Sequence, residues 1–184
     1  AIAHKFSANS SISEIISIEI QIGRTGALTP VAKIKPVNIG GVFVSNATLH
    51  NEDEIKRKDI RIGDYVKVER AGDVIPHVIS VDKSKRKSNS KTFIFPKNCP
   101  SCGSKVVKEY NKLTKKFDAV IRCSSDDYKC DKITIEKLKH FISKDAFNID
   151  GLGKKVIERF WELKFIKYSS DIFKLNFNKI ENLE

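Results

Sequence analysis

Four cysteines constrain this 184-residue chain more than any other feature. They are its only cysteines, and they lie in one stretch as Cys99, Cys102, Cys123 and Cys130. A Cys-x-x-Cys turn lets two thiolates reach one metal ion, and a second pair about twenty residues later completes a tetrahedral zinc site. The sequence therefore predicts structural zinc with four protein ligands, which leaves no open position for catalysis.

The second pair of cysteines is less regular than the first, because six residues separate Cys123 from Cys130. His140 is an alternative fourth ligand in place of Cys130. A redox dithiol is the other alternative for the Cys-x-x-Cys turn.

The net charge of +11 is concentrated in one part of the chain. Residues 82–116 hold eleven basic and two acidic side chains, whereas the segments on either side are nearly balanced. Such a stretch attracts a polyanion, and nucleic acid is the usual one. A solvated, lysine-rich linker is the alternative interpretation.

The composition, with 40% hydrophobic and 31% charged residues, excludes an intrinsically disordered chain. No apolar run approaches the roughly 18 residues that cross a bilayer, and the chain does not begin with a secretory signal pattern. We therefore expect a cytoplasmic protein with no membrane partner. Because the chain contains no methionine, we interpret it as a fragment of a longer protein.

The first half of the chain has the pattern of a small barrel. Ile16, Ile18, Ile20 and Ile22 alternate with polar residues, which predicts a half-buried strand. Shorter β-rich runs lie at 31–34, 42–44, 65–69 and 78–81, with a helix-forming run at 46–58. Five strands with a helix after the third predict an OB-type barrel, although SH3-like barrels and half-sandwiches have similar patterns.

The last third of the chain has helical spacing of its apolar residues, interrupted at residues 148–155, NIDGLGKK. This segment has the form of a helix-hairpin-helix turn. Gly151 and Gly153 permit a tight turn, and the N–H groups that open the next helix can hold a phosphate oxygen. A plain turn between helices, with a glycine cap, is the alternative.

A catalytic constellation is absent from the sequence. There is no Ser-His-Asp set, no paired-carboxylate motif and no glycine-rich phosphate loop followed by lysine. We expect this chain alone to perform no covalent chemistry.

Several strings resemble the bacterial NAD-dependent DNA ligases, in that family's order. They are QIGRTGALTPVA at 21–32, ATLHN at 47–51, RKDIRIGD at 57–64 and RAGDVIP at 70–76, followed by the four cysteines and DGLG at 150–153. The resemblance covers the whole chain and implies a C-terminal fragment of such a ligase.

Enzymes of that family use NAD to adenylate a lysine, pass AMP to the 5′-phosphate of a nick, and seal the nick when the 3′-hydroxyl displaces AMP. The resemblance implies roles in DNA replication and repair, with NAD and magnesium as cofactors of the parent enzyme. The family's Lys-x-Asp-Gly motif does not occur here, so the resemblance implies an inactive piece. Its implied partners are nicked duplex DNA and the missing adenylation domain, and we expect a monomer.

Two other classes of protein remain as alternatives. One is a stand-alone zinc-containing nucleic-acid-binding module without catalysis. The other is a zinc-stabilised interaction module whose basic stretch is only a linker.

The resemblance also implies roles for single residues. Lys5 falls in the last nucleotidyltransferase motif, where a cation beside the AMP phosphate offsets developing charge, and it is the predicted catalytic residue. Arginine and threonine side chains would hold the DNA backbone, and apolar side chains would meet the minor groove. The predicted DNA-binding residues are Arg24, Thr25, Arg70, Val74, Ile75, Gly151 and Gly153.

The predicted fold class is a multi-module α+β protein with a five-stranded OB-type β-barrel, a small four-cysteine zinc finger and an α-helical helix-hairpin-helix region. The predicted domains are residues 1–7, the tail of the adenylation domain; 8–82, the OB-fold domain; 83–92, a basic linker; 93–132, the zinc finger; and 133–184, a truncated helix-hairpin-helix region.

Overall fold

The structure is a computed structural model that describes residues 8–70, 75–88, 90–126 and 128–181. The chain divides into two compact units, which we call the barrel unit and the helical unit. The barrel unit comprises the described residues of Ala1–Gln21, Leu28–Lys97 and Val107–Ile121, and the helical unit those of Ile22–Ala27, Asn98–Val106 and Arg122–Glu184.

Five strands close into a barrel in the order β1-β2-β3-β5-β4. The strand pairs β1–β4, β2–β3 and β4–β5 are antiparallel, whereas β3 pairs with β5 in parallel at Thr48 and His77. Closure protects the strand edges that an open sheet would expose. The strands are β1 (Asn9–Ile22), β2 (Leu28–Ile39), β3 (Val42–Thr48), β4 (Tyr65–Arg70) and β5 (His77–Asp82).

An apolar core fills the barrel unit. Ile15, Ile34 and Val66 are each 2% exposed or less, and each comes from a different strand. Leu49 and Ile60 add side chains from the segments on either side of the first helix. Burying a side chain of this size contributes roughly 1.5–3 kcal/mol, so the strands are held chiefly by this shared core.

The inward face of β1 differs from the sequence prediction. Ile15 is buried, whereas Ile16 is 55% exposed, and Ile18 again packs against the core. The predicted strand is present, but Ile16 departs from its alternating pattern because the phase of the strand changes between Ile15 and Ile18. Ser13 also points inward, and its hydroxyl is satisfied by donating to the Lys35 carbonyl at 2.6 Å.

The helix after the third strand, α1, spans Glu52–Lys58 and is shorter than predicted. Its predicted start at residue 46 was wrong because residues 46–48 belong to β3. Asn51 caps the helix, since its side chain accepts a hydrogen bond from the Glu54 N–H at 2.9 Å. Acidic residues occupy the first turn and basic residues the last, as the helix dipole favours.

The start of the basic stretch is tied to the barrel by Arg86. Its guanidinium donates to both carboxylate oxygens of Asp64, through Nε and Nη2, each at 2.8 Å, and also to Asp59. Asp64 is fully buried, and Phe93 packs against the barrel core. This stretch therefore has a packing role that its composition did not reveal, and the proposed domain boundaries stay predictions.

Two further strands form a hairpin, β6 (Val106–Asn111) and β7 (Lys116–Cys123). Helices α2 (Asp131–Phe141), α3 (Lys154–Glu162) and α4 (Phe177–Ile180) follow, with a 3-10 turn at Ser169–Lys174 before α4. None of the helices formed by the described residues has the length and hydrophobicity of a membrane-spanning segment.

A second apolar core joins α2 to α3 in the helical unit. Leu138 and Ile142 from the first of these helices pack with Ile157 and Phe160 from the next. Lys139 adds a polar link, because its amine lies 2.6 Å from Glu136 and 2.7 Å from Glu158. The two helices are thus held as a pair, which positions the turn between them.

Candidate metal centre and nucleic-acid interface

The Cys-x-x-Cys segment folds as a tight turn. The Cys99 N–H donates to the Ser104 carbonyl at 2.7 Å, and the Gly103 N–H donates to the Cys99 carbonyl at 2.9 Å. Gly103 has a φ of 74°, a left-handed conformation that glycine adopts without strain. This turn points the thiols of Cys99 and Cys102 to the same side.

The other two cysteines come from the ends of two elements. Cys123 ends β7, and its Sγ accepts a hydrogen bond from the Ser125 N–H at 3.4 Å. Cys130 is fully buried immediately before α2, where its carbonyl accepts from the hydroxyl and the N–H of Thr134. A helix N-terminus favours negative charge, so it suits a thiolate.

All four sulfur atoms converge at one point. Each lies within 4.8 Å of the others, with 3.9 Å between the Sγ atoms of Cys99 and Cys130 and 3.5 Å between those of Cys102 and Cys123. Tetrahedral zinc with Zn–S bonds of about 2.3 Å requires sulfur atoms roughly 3.8 Å apart, which these distances match. The cluster includes Cys130 and not His140, so the predicted four-cysteine set is confirmed as a group that could hold a metal ion.

Burial keeps part of the cysteine cluster uncharged while no cation is bound. Burial raises the pKa of the Cys123 thiol to about 12 and raises the pKa of Cys130. Burial acts in the same direction on Cys102, but hydrogen bonds with Ser104, Cys123 and Cys99 together outweigh it and lower that pKa to about 6. Four thiolates packed this closely repel one another, and coordination to a dication removes that cost.

The predicted phosphate contacts Arg24 and Thr25 lie on a turn between β1 and β2. The turn is closed by the Gly23 N–H donating to the Ala27 carbonyl at 3.0 Å. Gly26 is buried with a φ of 77°, and a Cβ there would lie 3.3 Å from the Cys123 carbonyl oxygen. The turn therefore packs against Cys123 of the cysteine cluster. The side chains of Arg24 and Thr25 are exposed to solvent.

A basic groove lies beside this turn within the helical unit, and we call it the Arg24 groove. Its volume is about 330 Å³. The Arg122 guanidinium donates to the Thr25 hydroxyl at 3.1 Å, which orients that side chain. The groove is lined by Arg24, Thr25, Cys123, Ser125, Ile133, Lys137 and His140.

Sequence reasoning missed part of the Arg24 groove. Lys137 and His140 lie one turn apart on α2, and His140 was considered only as a metal ligand. Their spacing of three residues places them on one helix face, which was the available signal. Nothing in the sequence alone indicated that this face meets the turn that carries Arg24 and Thr25.

The turn between α2 and α3 contains the predicted Gly151 and Gly153. Gly151 has a φ of 77°, and Gly153 is the residue before α3, where no side chain caps the helix. The first N–H groups of a helix have no intrahelical partners, so those of α3 are available to an acceptor. The turn borders a shallow groove of about 360 Å³ that also contains Lys139 and Lys144.

The remaining predicted site residues lie at the ends of the described segments or outside them. Arg70 ends β4 and is half-buried, and Ile75 precedes β5 with 70% of its side chain exposed. Lys5 and Val74 lie outside the described residues.

Comparisons with known proteins agree on one family. The family model described as the NAD-dependent DNA ligase OB-fold domain matches residues 12–90. The DNA ligase of Pelagibacter ubique is 76% identical over all 184 residues of this chain, which cover 27% of that relative. The DNA ligase of Xanthobacter autotrophicus is 52% identical over the whole chain and 25% of its own length.

A third relative, the DNA ligase of Wolbachia pipientis wMel, is 53% identical over 175 residues, which are 95% of this chain and 25% of that protein. The chain thus spans about a quarter of the length of the curated relatives it matches. The matched region contains both the barrel and the four-cysteine cluster. The chain therefore belongs to the NAD-dependent DNA ligase family.

Proposed function

We propose that this chain is the portion of an NAD-dependent DNA ligase that holds nicked duplex DNA while the nick is sealed. The parent enzyme would form the phosphodiester bond through ligase-AMP and DNA-AMP intermediates, with NAD and magnesium as its cofactors. The observation that carries the proposal is the Arg24 groove, which is built on the cysteine cluster of a chain in this family.

The covalent steps belong to residues that this sequence lacks, because no Lys-x-Asp-Gly motif is present. Lys5 would supply a positive charge beside the AMP phosphate in the joined enzyme. The monomeric state and the cytoplasmic location remain predictions.

We further propose that the metal is zinc and that its role is structural. Cys99, Cys102, Cys123 and Cys130 would hold it, and the spacing of their sulfur atoms supports tetrahedral thiolate coordination. With four protein ligands, the site has no position for substrate. Its function is then to fix the Gly23–Ala27 turn and the start of α2 relative to each other, which shapes the Arg24 groove.

The Arg24 groove suits a phosphate of the DNA backbone. Arg24 can donate two parallel hydrogen bonds to a phosphate, and Thr25 can donate one from a hydroxyl that Arg122 orients. Lys137, which also lines the groove, adds positive charge. Contacts of this kind carry no sequence information, as an enzyme that seals nicks in any sequence requires.

Two other surfaces would make further contacts with the DNA. The N–H groups at the start of α3, after Gly151 and Gly153, are available to a second phosphate. On the barrel unit, Arg70 would hold the backbone, and Ile75 with Val74 would press on sugars in the minor groove.

Binding of the purified chain to a labelled nicked duplex, across a salt series, tests this proposal. We expect affinity to fall steeply with salt, because each phosphate contact releases counterions. The Arg24→Ala variant should reduce the logarithmic salt slope by about 1. Lys129→Ala is the matched control, because this exposed lysine of the same unit is paired with Asp126 at 2.6 Å.

Equal binding by the Arg24→Ala variant and the parent chain would remove the Arg24 groove from the DNA interface. To separate a ligase portion from a stand-alone binding module, the adenylation domain is then supplied as a fusion. Restored nick sealing supports the ligase portion, whereas DNA binding without any sealing supports the stand-alone module.

A further inference from the structure

Among the described residues, the β6–β7 hairpin is a largely exposed element that the proposed function does not use. Its strands lie in sequence between the second and third cysteines, and nearly every residue from 109 to 119 is exposed. A two-stranded hairpin is marginally stable by itself, so it needs an anchor. Ile121 is buried near the base, and the Lys108 amine pairs with Asp53 of α1 at 2.8 Å.

The tip of this hairpin carries large apolar side chains in water. Leu113 is 95% exposed, Phe117 is 67% exposed and Tyr110 is 52% exposed. The Tyr110 and Phe117 rings pack edge to face with their centroids 5.2 Å apart. A cluster of this kind on an exposed element is typical of an interaction surface.

The tip is also ordered by its own hydrogen bonds. The Asn111 side-chain oxygen accepts from the N–H groups of Leu113 and Thr114, at 2.9 and 3.1 Å. Lys115 has a φ of 53°, which reverses the chain into β7. The backbone at Leu113 is therefore held at the end of the hairpin, which reduces the ordering of the main chain that binding would require.

The charge around the apolar tip defines the partner. Lys112, Lys115 and Lys116 lie next to Leu113 in the sequence, while the acidic Glu109 and Asp118 lie just outside Tyr110 and Phe117. An apolar protein surface would not require three cations around one leucine. Duplex DNA matches both features, since its phosphates attract lysines and its minor groove accepts apolar side chains between the sugars.

We propose that the β6–β7 hairpin is a separate DNA contact, in which the three lysines bind backbone phosphates and Leu113 enters the minor groove. This inference rests on the proposed function, because it assumes that the substrate is duplex DNA. It adds a contact on the barrel unit that is distinct from the Arg24 groove of the helical unit.

The test uses nicked-duplex binding across a salt series with two hairpin variants of the full chain. Removing three phosphate contacts in Lys112→Ala/Lys115→Ala/Lys116→Ala should reduce the logarithmic salt slope by about 2 to 3. Leu113→Ser should weaken binding roughly tenfold and leave the slope unchanged, because it removes only apolar burial.

The matched control is Lys35→Ala/Lys56→Ala/Lys129→Ala, which removes the same net charge from lysines that are each paired with an acidic side chain. Far-ultraviolet circular dichroism verifies that each variant is folded. A control slope that falls as much as the slope of the hairpin variant would overturn the inference, because net charge would then be the cause.

The outcomes separate this inference from the proposed function. If Arg24→Ala weakens binding but the hairpin variants bind like the parent chain, the hairpin contact is refuted and the proposed function stands. If the parent chain does not bind DNA, both fail. Loss of binding to anionic phosphatidylserine vesicles, with unchanged DNA binding, would assign the hairpin to a lipid surface and overturn the inference.

Discussion

The buried ion pair of Arg86 and Asp64 makes the strongest prediction about stability. Asp64 is 0% exposed and Arg86 13%, and the guanidinium donates to both carboxylate oxygens at 2.8 Å. Asp64 also accepts the Arg61 N–H at 2.8 Å. In an Arg86→Ala variant, the buried carboxylate keeps the hydrogen bond from the Arg61 N–H but loses both guanidinium donors, and an uncompensated buried charge is costly.

Breaking a buried pair by removing one partner costs about 3–5 kcal/mol. For a chain of this size, such a loss lowers the melting temperature by roughly 6–20 °C. Because the chain has two units, hydrogen exchange of amides in β4 and β5 is the better assay, since it reports the opening free energy of the barrel alone. The double variant Arg86→Ala/Asp64→Asn should recover part of the loss, because the buried charge is gone.

The chain offers a matched control in the pair Arg57 and Glu54. Arg57 also donates to both carboxylate oxygens, at 2.8 and 2.7 Å, but its side chain is 67% exposed. Exposed pairs contribute little, so Arg57→Ala should cost far less than Arg86→Ala. Equal losses in the two variants would refute the reasoning that burial makes the Arg86 pair important.

Three further predictions follow from single residues. Cys99→Ser should abolish metal binding and unfold the cysteine region. Zinc content and thermal melting, measured on the same sample, check this prediction. An unchanged melting profile in a variant without metal would contradict it. Gly26→Ala should destabilise the helical unit more than Gly103→Ala. Both glycines have positive φ, but of the two only Gly26 lacks space for a Cβ. Thermal melting compares the variants, and equal shifts of the melting temperature would contradict the packing argument. The hydrogen bond from Arg57 lowers the pKa of Glu54 from 4.5 to about 2, so its stabilisation is complete above pH 4.5 and is lost as the pH falls towards 2. The stability of the Glu54→Gln variant, measured by acid titration, should lack the loss that protonation of Glu54 causes. Identical dependence of stability on pH in the variant and the parent chain would exclude this contribution.

The four-cysteine cluster was predictable because its signal is local and chemical. A Cys-x-x-Cys turn followed by a second pair has few structural uses, and the structure brings all four sulfur atoms together. Strand periodicity also predicted the five-stranded region. It failed within β1 because alternation cannot reveal a change of phase, which leaves Ile15 buried and Ile16 exposed.

Long-range contacts were not predictable from sequence. The basic stretch looked like a linker, because nothing local indicates that Arg86 reaches Asp64 and Asp59, more than twenty residues earlier. The Arg24 groove depends likewise on a turn meeting a helix more than a hundred residues later. Periodicity and composition report on neighbours along the chain, whereas these contacts depend on how the elements pack.

The most direct test of the central claim is nick sealing by a chimera. This chain would replace the matching segment of the Pelagibacter ubique DNA ligase, to which it is 76% identical over its whole length. We predict that the chimera seals nicked duplex, and that its Arg24→Ala form still becomes adenylated but seals far more slowly. A chimera that folds, binds zinc and becomes adenylated, yet neither binds nor seals nicked DNA, would contradict the account.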